Sequence, residues 1–158
     1  MARIRPARPD DIPALDRALR ALSRHMDDPH LVEARELQAA LFGPRPVAHA
    51  GIADGAAELR GTVLFAPCFS TVRGGPGAFV SDLWVAPDAR QEGLGAALLG
   101  FAARAGRAEW GARFLRLMVY DTNVEARAFY ARAGFRAAED EIVLTLSGAA
   151  FDDLEETA

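Results

Sequence analysis

Lysine is absent from this 158-residue sequence; all 18 basic residues are arginine. Set against 22 acidic residues they leave a net charge of −4, which argues against a general nucleic-acid binder. Cysteine occurs once, as Cys68, so neither an intrachain disulfide nor a cysteine-based metal site can form. Its apolar neighbours suit an inert strand residue better than a nucleophile. Histidine is limited to His25, His30 and His49, scattered without metal-ligand spacing, and no metal is expected. No run approaches the roughly 18 uncharged apolar residues of a membrane span. The first residues lack the apolar core of a signal peptide, so a cytoplasmic protein without a membrane partner is expected. Apolar residues make up 51% and charged residues 25%, ordinary values for a single globular domain, here taken as 1–158.

What is present is a pattern of short strands and amphipathic helices. Ile4 to Ala7 suits an edge strand. Ile12, Leu15, Leu19 and Leu22 recur at helical spacing to about His25, and a second helix fits Leu31 to Phe42. Val47–Ala53 and Leu59–Phe69 read as strands around an Asp54-Gly55 turn. Ala78–Val85 is the next strand. A long helix then reaches Trp110, Phe114–Tyr120 is a strand, and a helix opened by Thr122 with Glu125 at capping-box spacing ends at Gly134. Glu141–Leu146 alternates like a final strand, and the acidic tail, about 148–158, is expected to fray. The order is β-α-α-β-β-β-α-β-α-β.

Between the Ala78–Val85 strand and the long helix lies Asp88-Ala89-Arg90-Gln91-Glu92-Gly93-Leu94-Gly95-Ala96. Free N–H groups and the positive end of the helix dipole converge there, and glycine lets the backbone approach an anion closely. A diphosphate is the expected passenger. The loop lacks the third glycine of a dinucleotide fingerprint and the Gly-Lys-Ser/Thr of a P-loop, which excludes both. An ordinary loop fits the glycine spacing equally well.

A second element decides between these readings: Asn123-Val124-Glu125-Ala126-Arg127-Ala128-Phe129-Tyr130, followed by Ala133-Gly134-Phe135. Together with Arg90, Gly93 and Gly95, and separated from them by one helix and one strand, it resembles the GNAT superfamily of N-acetyltransferases over about residues 3–146. Ser81-Asp82-Leu83-Trp84-Val85 and the Asn-to-Tyr segment are loosely similar to the diamine (spermidine/spermine-type) acetyltransferases. The resemblance implies an α/β fold, with a mixed, mostly antiparallel sheet flanked by helices, and acetyl-coenzyme A as cosubstrate. It implies that Leu83, Trp84 and Val85 bind the pantetheine arm through their backbone, beside a strand splayed from its neighbour. It further places the diphosphate on Gln91, Glu92, Gly93, Leu94, Gly95 and Ala96, with Arg90 adding charge and Asn123 touching the cofactor. Dimers are common in the family, so a homodimer is compatible with it.

The resemblance assigns Tyr130 as the acid that protonates the coenzyme A thiolate. Periodicity alone explains Tyr130 as a core aromatic, since Ala126, Phe129, Tyr130 and Ala133 form one helical stripe. Asn123 likewise has a full structural explanation as a helix cap. The base is open. An alkylamine of pKa near 10 is roughly 0.1% neutral at pH 7, a cost of about 4 kcal/mol. The diamine acetyltransferases carry glutamate where this chain has Ser81, which is no unaided base. Asp82 is the nearest carboxylate; a base, an acceptor-binding group and a structural role all fit it, as does a water held by Ser81 or Asp82. In the family the first two helices cover the acceptor site, so the resemblance implies that His25 and the Asp27-Asp28 pair border it. The expected activity is transfer of an acetyl group to a small-molecule amine by direct attack. A protein or peptide acceptor, or a coenzyme A-binding module without turnover, are the alternatives.

Overall fold

In the computed structural model, which describes residues 3–55, 58–138 and 141–155, the chain divides into two compact units, Met1–Tyr120 and Asp121–Ala158. The first unit holds a five-stranded sheet of β1 (Ile4–Pro6), β2 (His49–Ala53), β3 (Gly61–Ser70), β4 (Gly75–Val85) and β5 (Leu115–Leu117) in that spatial order. Three junctions are antiparallel and the last, β4 with β5, is parallel. Helices α1 (Ile12–Met26), α2 (Ala34–Phe42) and α3 (Leu94–Trp110) flank it. This is the expected mixed α/β architecture. β2 and β3 pair antiparallel as expected, but β2 ends at Ala53 and β3 begins only at Gly61, and Gly55 has no positive φ, so the strands are not joined by a two-residue Asp-Gly turn.

The helices cover opposite faces of the sheet. Ile12, Leu15 and Leu19 of α1 and Leu37 and Leu41 of α2 form one core cluster with Ala50, against which Leu64 packs. Residues next to these along the strands face the other way. There the ring of Phe101 on α3 fills the space a side chain at Gly51 would need, and Leu98 approaches Gly61. Gly51 is therefore a packing requirement of α3. Val63 and Phe65 share that face and are almost fully buried.

The second unit contains α4 (Val124–Arg132) and a short helix in the acidic tail, α5 (Ala149–Glu155). Two expectations change here and at the sheet edge. Glu141–Leu146 forms no strand: Ile142 and Leu144 are 87% and 89% exposed, and an alternating sequence without a neighbouring strand has nothing to bond its backbone. The apolar run Phe114–Tyr120 forms a strand only over Leu115–Leu117. Among the described residues no helix is long and apolar enough to cross a membrane.

Arg5 fastens the sheet edge to the start of α1. Its guanidinium donates to both Asp11 oxygens, at 2.7 and 2.9 Å, and to both Asp54 oxygens, at 2.8 Å each. The Arg5 hydrogen bond holds the Asp11 carboxyl below the ordinary range, and the Arg8 backbone N–H adds to it. A depressed folded-state carboxyl contributes stability that is present above its unfolded value, about 3.9, and is lost as pH falls through the folded value. Arg5→Ala should therefore cost about 1–2 kcal/mol at pH 7 in urea denaturation. The difference from wild type should shrink below about pH 4; a gap that stays constant into acid would refute this assignment.

Candidate functional site

Strand β4 cannot serve two neighbours along its whole length. Its partners in β3 run Phe65↔Val80 and then Leu64↔Asp82, so Ser81 is the extra residue of a bulge. On the other side β4 pairs with β5 only at Ala78↔Leu115, Phe79↔Arg116 and Val80↔Leu117, with Ala78 N–H donating to Phe114 O at 2.9 Å. From Ser81 onward no strand among the described residues borders that edge. The two parallel strands thus part at their carboxyl ends.

The groups left on the open edge follow from ladder alternation. Ala86 N–H donates to Arg60 O at 2.9 Å, which makes Ala86–Arg60 a bonded pair. In an antiparallel ladder Trp84–Thr62 and Asp82–Leu64 are then bonded pairs too. The backbones of Leu83 and Val85 face away from β3, toward the opening, and Trp84 directs its backbone to β3. Arg90 Nε reaches Val85 O at 3.4 Å, as an outward-facing carbonyl requires. The side chains obey the same parity. Asp82 and Trp84 lie opposite Leu64 and Thr62, on the α1–α2 face, whereas Leu83 and Val85 lie on the α3 face.

The glycine loop continues directly from this edge. A one-turn 3-10 helix, Pro87–Ala89, leads to Arg90, then Gln91 and Gly93 take left-handed conformations with φ of 66° and 78°. Gly93 is the N-cap of α3 and offers no side chain to bond the first-turn amides. The N–H groups of Leu94, Gly95 and Ala96 have no intrahelical acceptor and lie at the positive end of a 17-residue helix. A Cβ at Gly93 would meet nothing within 4 Å. Arg90, Gln91 and Glu92 are exposed, and Glu92 is neutralised by Arg60 at 2.6 Å. The loop is thus an uncapped, electropositive helix start next to an unpaired strand edge.

Comparison with known proteins places the fold. The model of the acetyltransferase (GNAT) family matches residues 13–135. The chain belongs to the GNAT acetyltransferase family. An integron cassette protein from the mobile metagenome of V. cholerae superposes with a TM-score of 0.79 at 18% identity, covering 98% of each chain. A second cassette protein, from Cole Harbour Salt Marsh, gives 0.72 at 26% identity over 93% of this chain and 92% of its own. An aminoglycoside acetyltransferase from an uncultured soil metagenomic sample, solved with trehalose, gives 0.74 at 16% identity over 92% and 95%. At the lower identities the likeness shows the fold alone.

For a GNAT chain the remaining residues are placed as follows. Ser81 is exposed, its Oγ 3.4 Å from Leu64 O, and Asp82 is partly buried. In the second unit Asn123, not Thr122, caps α4: its Oδ1 accepts from Ala126 N–H at 3.0 Å. Tyr130 lies against the rings of Phe129 and Phe135, at 5.1 and 5.6 Å, and burial raises its phenol above the ordinary range. His30 and His49 engage Ser23 and Glu109. Among the described residues no group of His, Cys, Asp and Glu could hold a metal. An open depression of about 110 Å³, lined by Leu41, His49, Phe65, Phe101 and Glu109 among others, lies away from the β4–β5 opening.

One contact was invisible to sequence reading. Tyr120, just beyond β5, donates its hydroxyl to Asp28 Oδ1 at 2.9 Å, 92 positions away. No local pattern encodes such a pair.

Substituting Gly93 isolates the backbone requirement of the loop. Gly93→Ala introduces no clash, so its penalty comes from a left-handed φ, about 1–2 kcal/mol. Titration calorimetry should show acetyl-coenzyme A affinity reduced several-fold. Affinity equal to wild type would remove this loop from the cofactor site.

Proposed function

We propose that this GNAT protein transfers the acetyl group of acetyl-coenzyme A to a primary amine of a small molecule. The observation that carries this reading is the unpaired edge of β4 running straight into the uncapped start of α3. That combination suits a ligand with a peptide-like arm and a diphosphate. The backbone groups of Leu83 and the N–H of Val85 hold the pantetheine arm. Amides from Gln91 to Ala96 hold the diphosphate, and Arg90 supplies the nearby positive charge. Trp84 contributes its side chain on the α1–α2 face rather than its backbone, and Asn123 contacts the cofactor while capping α4.

The amine attacks the thioester carbonyl directly. The Leu83 N–H, on the open edge, donates to the oxygen as it gains charge. The amine's proton leaves through water held by Ser81 and Asp82, since neither is placed as an unaided strong base. Tyr130 gives its phenolic proton to the departing thiolate. Burial keeps that phenol protonated at neutral pH, which suits an acid. A small-molecule acceptor is supported by one structural neighbour, which is an aminoglycoside acetyltransferase. The loose likeness of Ser81–Val85 to the diamine acetyltransferases supports it as well. The exposed run Ile142, Val143 and Leu144 supports assembly as a homodimer.

Tyr130→Phe tests the chemical step. Turnover, followed as thiol release, should fall about 100-fold with cofactor affinity within twofold of wild type. Unchanged turnover would remove Tyr130 from the mechanism. Cofactor binding without thiol release across polyamines, amino acids, aminoglycosides and peptides would replace catalysis by a binding role.

A further inference from the structure

We propose that Arg60 is a positioning residue for the cofactor: it draws Glu92, the glycine loop's own carboxylate, out of the seat that the diphosphate takes. The inference rests on the acetyl-coenzyme A reading and deepens it at the same site. Its basis is one ion pair that ties the loop to the strand on its closed side.

The seat has a competitor within the chain. A carboxylate beside an uncapped helix start is attracted to the first-turn N–H groups and to the dipole behind them. At two other helix starts of this protein a free N–H does go to a carboxylate: Asp11 accepts from Arg8 N–H at 2.7 Å and Glu36 from Glu33 N–H at 2.8 Å. Glu92 directly precedes Gly93, the N-cap of α3, whose first-turn amides are the ones offered to the diphosphate. Untethered, Glu92 is free to take those amides, and beside them it repels a diphosphate.

Glu92 instead reaches away. Its Oε2 accepts from Arg60 Nη2 at 2.6 Å, across 32 positions of sequence. Arg60 is itself fixed by backbone bonds on two sides, its N–H donating to Ala53 O and its carbonyl accepting from Ala86 N–H, each at 2.9 Å. It directly precedes β3, and β3 and β5 flank β4 on opposite sides. The tie therefore draws the carboxylate toward β3, away from the edge that β5 leaves open. Arg90 does the reverse: its Nε lies 3.4 Å from Val85 O, a carbonyl on the open edge. The two ties sort the loop's charges, cation toward the opening and anion behind it. The charge balance points the same way. The segment from Ala86 to Gly93 holds Asp88, Arg90 and Glu92, one acid in excess, and Arg60 supplies the missing charge.

Calorimetric titration with acetyl-coenzyme A across a double-mutant cycle tests the role. Arg60→Ala should weaken binding about tenfold and raise the cofactor KM as much, with kcat at saturating cofactor within about twofold of wild type. Glu92→Gln should tighten binding about threefold, since it removes the competing charge and frees Arg60. The double variant should recover to within about threefold of wild type, and so should Arg60→Lys, which keeps the charge. The loss in Arg60→Ala should also shrink as salt rises from about 0.02 to about 0.5 M, a change that a purely structural role would not produce. Arg60→Ala that binds as tightly as wild type overturns the proposal. So does a double variant as weak as Arg60→Ala, which would put Arg60 on the cofactor itself or in the fold. Because the titration needs no turnover, binding without thiol release leaves the role of Arg60 standing and removes only catalysis. A wild type that binds no acetyl-coenzyme A overturns the cofactor reading and the proposal with it, whereas a failed cycle on a binding wild type overturns the role of Arg60 alone.

Discussion

The parting of β4 from β5 is the constraint on which the rest of the first unit depends. A strand backbone presents its polar groups alternately to two neighbours, and each must find a partner or water. The bulge at Ser81 resets that alternation after three residues of parallel pairing. It gives Asp82 and Trp84 to β3 and leaves Leu83 and Val85 facing outward. Had β5 followed β4 to Val85, the edge would be saturated and the α3 loop would stand alone as a generic anion site. The opening couples the two: one strand edge and one helix start, joined by eight residues from Ala86 to Gly93, present donors in succession along a single path.

Much of this was legible locally. The apolar spacing of Ile12, Leu15 and Leu19 marked α1. Asp54-Gly55 marked a break between two strands, and Gly93 and Gly95 marked the start of a helix; the positive φ of Gly93 came only with the structure. These features arise from nearest-neighbour sterics and periodicity, which a sequence displays directly. The bulge at Ser81 did not show, because it arises from the register of two strands whose hydrogen bonds are set by the whole sheet. Tyr120 with Asp28 was equally hidden. Glu141–Leu146 illustrates the opposite failure. Its alternation is intact, yet a strand exists only by pairing, and the described residues supply no neighbour. The α4 cap moved by one residue because Asn123 offers the better-placed acceptor.

Electrostatics divides the first unit into two kinds of acid. Arg5 with Asp11 and Asp54 closes a structural joint between β1, α1 and the hairpin, and Glu92 is matched by Arg60 where an unpaired carboxylate would oppose a diphosphate. Asp10, Asp27, Asp28, Asp82 and Asp88 form no ion pair with an arginine among the described residues.

In the proposed function the open β4 edge and the start of α3 hold one ligand together. Residue-resolved amide hydrogen exchange with and without acetyl-coenzyme A tests it most directly. Slowed exchange at Leu83 and Val85 together with Leu94, Gly95 and Ala96, and little change at Trp84, whose N–H is already bonded to β3, is the predicted result. Protection confined to the helix start, or absent from both segments, would contradict the claim.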